Sequence, residues 1–196
     1  MSADHLRYLA FYKPYGVLSN FTDEEGRSTL KAYVDVPGVY SAGRLDMDSE
    51  GLLLLTDDGA LIHRLTDPRH HLPKTYAVQV EGLVTLEALQ KLESGLLIQG
   101  YQTRPCRARL IPEPDFPPRE KPITPHGPTA WLELTLHEGK KRQIRHMPAA
   151  VGLPTLRLVR TAIGALTLGD LLPGQWRELT PAEIKLLTAP RRTSAR

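Results

Sequence analysis

Asp46, Asp48 and Glu50 place three carboxylates in the short block Gly43-Arg44-Leu45-Asp46-Met47-Asp48-Ser49-Glu50-Gly51. The block runs straight into Leu52-Leu53-Leu54-Leu55-Thr56, an apolar run too short for a helix core and read as a strand buried on both faces. A carboxylate at the mouth of such a strand is held rigidly beside low-dielectric surroundings, where its acidity can be tuned for acid, base or nucleophilic work. On an extended segment the alternation would crowd all three charges on one face, so a tight turn must separate them. Asp46 follows the apolar anchor Leu45 and is expected nearest the core, which makes it the strongest candidate for nucleophile or base. The competing reading is an aspartate that only satisfies turn amides. A glycosidase would need a second carboxylate across the site. The late block Glu138-Gly139-Lys140-Lys141-Arg142-Gln143-Ile144-Arg145 offers guanidinium groups instead.

Those cations matter more than the overall balance. The net charge is +3 and the pI about 9.0, only mildly basic. Lys140, Lys141, Arg142 and Arg145 nevertheless cluster, with Arg157 and Arg160 close behind. Such clustering is either the footprint of a polyanionic partner or a solvated helix end.

The elements that would position these groups are legible as alternation, periodicity and caps. Arg7 to Tyr12 is aromatic and apolar and reads as a strand, closed by Lys13-Pro14-Tyr15-Gly16. Ser28 to Val34 predicts a short helix capped by Ser28. Asp57-Asp58-Gly59 predicts a helix to about Leu65, ended by Asp67-Pro68. Lys74 to Gly82 alternates as a strand. Thr85 caps a helix to Ser94, with Leu86, Leu89 and Leu92 along one side and Gly95 as the stop. Thr103 to Ile111 and Trp131 to His137 read as strands. Between the last two, residues 112–128 hold seven prolines and predict a long exposed loop with no packed core of its own. Gln143 to Val151 predicts a helix, Arg157 to Leu168 a strand, and Thr180-Pro181-Ala182-Glu183 a capping box opening a last helix. Residues 191–196 form a basic tail. Strands outnumber helices and do not alternate regularly with them, so the class is α+β around a mixed, mainly antiparallel sheet.

Composition narrows the function. Hydrophobic residues make up 41% and charged residues 24%, ordinary for a globular chain of 196 residues. No apolar run approaches bilayer-spanning length, so no membrane partner is expected. The start of the chain is polar, without the apolar core of a signal peptide. Cys106 is the sole cysteine, which rules out an intrachain disulfide or a thiolate metal cluster and points to the cytoplasm. His5, His70 and His71 are isolated, and no spacing of His, Cys and Asp suggests a metal site. No heptad pattern or dimer stripe appears, so a monomer is expected.

Four ordered stretches resemble the pseudouridine synthases, specifically the small-subunit pseudouridine synthase A-like branch that modifies bacterial ribosomal RNA. Tyr12-Lys13-Pro14-Tyr15-Gly16-Val17 resembles the opening Lys-Pro-x-Gly segment. Gly43-Arg44-Leu45-Asp46 resembles the motif that carries the essential aspartate. Lys74-Thr75-Tyr76-Ala77-Val78 resembles the segment whose tyrosine stacks on the target uridine, and Glu138 to Arg145 the late motif whose final arginine pairs with the aspartate. The similarity runs from about Tyr8 to Leu179. It implies that fold, with two lobes and a catalytic cleft between them, and isomerisation of uridine to pseudouridine in large-subunit ribosomal RNA. Nothing is oxidised or lost in that reaction, so no cofactor or metal is expected. The implied catalytic residues are Asp46, Tyr76 and Arg145, with Arg145 as the bidentate partner that keeps Asp46 ionised. Arg44 would fill the gap left by the extruded base. Lys13, Lys74, Lys140, Lys141, Arg142 and Arg160 are the implied RNA contacts.

This sequence departs from the family pattern in places. Lys13-Pro14 comes almost at once, leaving no room for an S4-like RNA-binding domain, so residues 1–190 are expected to form a single catalytic domain. Asp57-Asp58-Gly59 replaces the commoner Asn-Asp-Gly, and Arg145-His146-Met147 stands where relatives often have two arginines. Pro148 is expected in the first turn of its helix, where a missing amide is tolerated. Two other functions stay open at this point: a non-catalytic RNA-binding assembly factor of the ribosome, and a synthase acting on another RNA.

Overall fold

A computed structural model describes residues 6–67 and 72–188. His5, His70, His71 and the 191–196 tail lie outside the described residues. In chain order the strands are β1 (Tyr8–Lys13), β2 (Tyr40–Ser41), β3 (Glu50–Thr56), β4 (Lys74–Glu81), β5 (Leu97–Ile98), β6 (Tyr101–Gln102), β7 (Arg107–Ile111), β8 (Thr129–Leu136), β9 (Thr155–Ile163), β10 (Leu166–Thr167) and β11 (Trp176–Glu178). The helices are α1 (Gly59–Thr66), α2 (Leu86–Ser94), α3 (Gln143–Ala150) and α4 (Pro181–Thr188).

The main sheet runs β11-β1-β3-β9-β4-β8-β7, and every pairing is antiparallel except β3 with β9. That parallel contact is short, Glu50 opposite Val159 and Gly51 opposite Arg160, and it joins the two halves of the sheet. Gly51 makes the approach possible. Its φ is +102°, and a Cβ there would lie 2.4 Å from the Arg160 carbonyl oxygen. β3 is buried at every position because one face packs on Ala10, Tyr12, Leu61 and Val159, and the other on Leu9, Phe11, Leu30 and Val34. A third apolar cluster, including Val78, Leu92, Leu132, Leu134 and Met147, fills the other half.

Most helix boundaries follow local capping chemistry. Asp58 accepts from the Leu61 amide at 3.0 Å, and Thr85 from the Ala88 amide at 3.1 Å. Thr180 and Glu183 close the capping box from both sides, at 2.8 and 3.3 Å.

Several expectations are corrected. Ser28 caps no helix: that segment holds only a 3-10 turn, Leu30–Ala32, preceded by Thr29. Leu86 is 79% exposed, whereas Leu92 is buried as expected, with Ala88 beside it. The strand expected over Thr103 to Ile111 starts at Arg107, because the preceding residues complete the short β5–β6 hairpin. Pro148 is the sixth residue of α3, not in its first turn. It therefore lacks the amide that would bond the Ile144 carbonyl, while the Arg145 amide still bonds the Arg142 carbonyl at 3.0 Å. The Pro-rich loop has no regular structure, yet it does pack. Phe116 lies 5.8 Å from Trp131, centroid to centroid, and the Pro117 carbonyl accepts from Arg157 at 2.9 Å.

Candidate active site

The carboxylate block folds as a turn closed by the Ser49 amide donating to the Asp46 carbonyl at 3.0 Å. Its entry is clamped by Ser19, whose hydroxyl donates to the Leu45 carbonyl at 2.7 Å and accepts from the Leu45 amide at 3.0 Å. The Gly16 amide holds the far side through the Met47 carbonyl at 2.8 Å. The turn separates the three carboxylates, but the expected order of burial is reversed. Asp46 is the open one, its side chain 44% exposed, whereas Glu50 is 2% exposed. Glu50 is the first residue of β3 and points inward to Arg157, which clasps it bidentately at 3.0 and 2.8 Å. Asp46 lies outside the ladder, with its side chain in reach of an incoming molecule.

The guanidinium groups arrive on the first turn of α3 and on the residue just before it. Arg142 stands just before the helix in the left-handed conformation, φ +53°, unusual for a residue with a side chain. It donates to both oxygens of Asp48, at 3.2 and 2.8 Å, and lies 3.6 Å from Asp46. Arg145, in the first turn of α3, donates to the Asp48 carbonyl at 2.6 Å, and its Nε lies 3.4 Å from the Asp48 carboxylate. The expected pairing of Arg145 with Asp46 is therefore corrected: Arg142 is the near partner of Asp46, and both arginines converge on Asp48. Burial opposes ionisation of Asp48, but the Arg142 hydrogen bonds and the two positive charges outweigh it and hold its pKa below the usual carboxylate value. For Arg145 burial wins, and its pKa is lowered.

Tyr76 lies on β4 opposite Arg160 of β9 and is 8% exposed, at a point where the register of the ladder shifts. Arg44 is exposed at the rim, and Lys140 and Lys141 are exposed on the turn before α3. Two cations expected at phosphates are instead interior. Arg160 is 2% exposed and donates to the Leu52 carbonyl at 2.7 Å, with Nη1 3.4 Å from the Arg44 carbonyl. Burial lowers its pKa, and Tyr76 beside it works the other way. Lys13 is fully buried, its ammonium bonded to the Val17 and Pro14 carbonyls at 2.6 and 2.9 Å and 3.5 Å from that of Met47. Burial pushes its pKa down to about 7, against the pull of Glu50 and Asp48. Both cations crosslink the loops that carry Asp46 and cannot reach a phosphate without breaking the core. Lys74 is half-buried, and burial together with Arg160 lowers its pKa to about 8.

Ser19, Asp48 and the Glu50–Arg157 pair emerge as site-shaping residues that composition did not single out. Asp48 carried a signal, being one of three carboxylates in the turn. Ser19 carried none.

A mixed sheet that brings a carboxylate turn against paired arginines, beneath exposed lysines, defines a carboxylate enzyme open to a polyanionic substrate. Residues 7–150 match the family model described as RNA pseudouridylate synthase. The chain is 56% identical over 170 residues to the ribosomal large subunit pseudouridine synthase E of Xanthomonas campestris, covering 84% of this chain and 91% of the relative. It is 48% identical to the synthase of the same name in Vibrio parahaemolyticus, over 88% of this chain and 74% of the relative. A solved structure described as a pseudouridylate synthase superposes with a TM-score of 0.77 at 33% identity, covering 95% of this chain and 76% of that one. This chain belongs to the RNA pseudouridylate synthase family, and it is an enzyme of the isomerase class.

Proposed function

We propose that this protein isomerises uridine to pseudouridine at a specific position of large-subunit ribosomal RNA, acting as a monomeric, single-domain enzyme in the cytoplasm. The observation that carries the reading is the accessible Asp46 carboxylate on a rigid turn, beside Arg142 and Arg145, in a chain of this family. Relatives at 56% and 48% identity named for the large ribosomal subunit support the choice of RNA. Among the described residues no helix is long and apolar enough to cross a membrane, in keeping with a ribosomal RNA substrate.

The reaction breaks the bond between uracil N1 and the ribose, turns the base, and joins C5 to C1′; the C5 proton leaves and N1 gains one. The target uridine leaves its stack, with Arg44 at the rim filling the vacated space. Its base lies against Tyr76. Asp46 then acts at the sugar, either by attack on C1′ or by removal of the C2′ proton. Asp48 keeps Arg142 and Arg145 gathered beside this carboxylate, so the arrangement of charges around Asp46 is set before RNA arrives. Lys140 and Lys141 meet the phosphate backbone.

The test is single-turnover reaction on unmodified large-subunit ribosomal RNA, with pseudouridine mapped by chemical derivatisation and primer extension. One new stop is expected with wild type. Asp46→Asn is expected to lose turnover by roughly 10²–10⁴-fold or more while binding RNA normally. No stop on free RNA or on ribosomal particles would instead leave a non-catalytic binder.

A further inference from the structure

We propose that the Pro-rich loop and the Pro14–Val17 turn form a second nucleotide subsite, which takes an unpaired base of the substrate RNA neighbouring the extruded uridine. The inference rests on the RNA-modifying reading above and adds to it how the enzyme recognises the sequence around its target.

A cavity of about 540 Å3 opens between these two segments, with Tyr15, Gly16 and Tyr33 on one side and Glu120, Lys121 and Pro122 on the other. It adjoins the catalytic turn: Gly16 is hydrogen-bonded to Met47, next to Asp46. The opening therefore lies one backbone hydrogen bond from the turn that carries Asp46, close enough for a strand that delivers one nucleotide to Asp46 to seat another here.

The walls have the chemistry of single-strand recognition. Tyr33 is 38% exposed, yet its ring is backed by Phe11, with centroids 6.0 Å apart, and by Gly174, where even a Cβ would lie 3.0 Å from the ring. It is a flat aromatic face held from behind and open in front, suited to stacking a base. Lys121 is exposed and forms no ion pair among the described residues, which leaves it for a phosphate. The Glu120 carboxylate accepts hydrogen bonds only, and so favours a base with exocyclic N–H groups.

The subsite is built rather than mobile. The Arg119 guanidinium sits 4.1 Å from the centre of the Tyr15 ring and donates to the Lys121 carbonyl at 2.6 Å. Arg157 fastens Pro117, and the His126 amide donates to Glu81 at 2.6 Å. Seven prolines restrict the loop further, so little order remains to be imposed when RNA binds.

The test uses the full chain and oligonucleotides of a large-subunit ribosomal RNA segment that wild type binds, with 2-aminopurine at each unpaired position flanking a uridine in turn. One position should show quenched fluorescence on binding to wild type. Tyr33→Ala should abolish that quenching and raise KM by about 5- to 100-fold, the effect of losing one base stack, with kcat changed far less. Tyr33→Phe should restore both. Lys121→Ala and Glu120→Gln, on the exposed loop, supply the same readouts if Tyr33→Ala fails to fold. KM within twofold of wild type in all variants, with no flanking position quenched, would overturn the subsite. The fluorescence readout does not need turnover. Absence of pseudouridine with wild type would count against the proposed function, while the quenching pattern would still decide the subsite.

Discussion

Removing the charge of Glu50 strands a buried arginine, and the consequence can be sized. Arg157 is 7% exposed; its guanidinium meets the Glu50 carboxylate at 3.0 and 2.8 Å, the Pro117 carbonyl at 2.9 Å and the Phe116 ring at 5.6 Å, so Glu50 is its counter-charge among these contacts. Glu50→Gln keeps the shape and deletes the counter-charge. Breaking a buried pair in this way costs about 3–5 kcal/mol, because the remaining charge has been taken out of water without compensation. At about 2–4 °C per kcal/mol for a chain of this size, Tm should fall by roughly 6–20 °C. Replacing both partners with apolar residues, Glu50→Leu with Arg157→Met, should recover most of that loss, since a well-packed apolar pair often matches a buried ion pair. The assay is thermal melting by circular dichroism for Glu50→Gln, Glu50→Leu, Arg157→Met and the double, the last three analysed with wild type as a cycle with an expected coupling of at least about 2 kcal/mol. The melting difference should change little with added salt, since a buried pair is poorly screened. A Tm drop below about 2 °C for Glu50→Gln would refute the reasoning and mean that water reaches Arg157.

Three further outcomes are expected. Lys13 has its pKa lowered from 10.5 to about 7, so the unfolded chain binds the extra proton between those values and wild type gains stability as pH rises through that window. Against Lys13→Met, which lacks this titration, the gain from pH 6 to 9 should be about 2–3 kcal/mol in denaturant melts, and a constant difference would show that the ammonium is not buried. Arg142→Gly relieves the left-handed backbone and should leave stability within about 1 kcal/mol while slowing turnover at least tenfold. Unchanged turnover would remove Arg142 from the chemistry. Lys140→Ala and Lys141→Ala should each weaken RNA binding and reduce the magnitude of its salt slope by about 1, and an unchanged slope in filter binding would take that lysine out of the interface.

Local chemistry was readable directly from the chain. The apolar run after Gly51 is a strand buried along its length, and Asp58, Thr85 and the Thr180–Glu183 box cap helices where their types and spacing required. Each of these rests on bonds spanning a few residues, so the information lies within one window of sequence. The destinations of long charged side chains do not. Lys13 and Arg160 are basic residues like Lys140 and Lys141, yet the first two are interior and the others exposed. What separates them is whether folded segments close over the basic group: Arg160 meets the Leu52 carbonyl from 108 residues away, and Lys13 is enclosed by its own turn, through Pro14 and Val17, against the Met47 carbonyl 34 residues on. The same holds for Arg142, which finds Asp48 across 94 residues, and for Glu50, buried only because β9 brings Arg157 beside it. The Pro-rich loop was readable as irregular, because proline forbids ladders and helix interiors, but Phe116, Pro117 and Arg119 dock it through partners no local pattern names. The sequence by itself determined the long strands, three of the helix caps and the motif that carries Asp46. Only tertiary packing decided which carboxylate stays open and which cations become its scaffold, because burial and ion pairing depend on groups that meet once the sheet has closed.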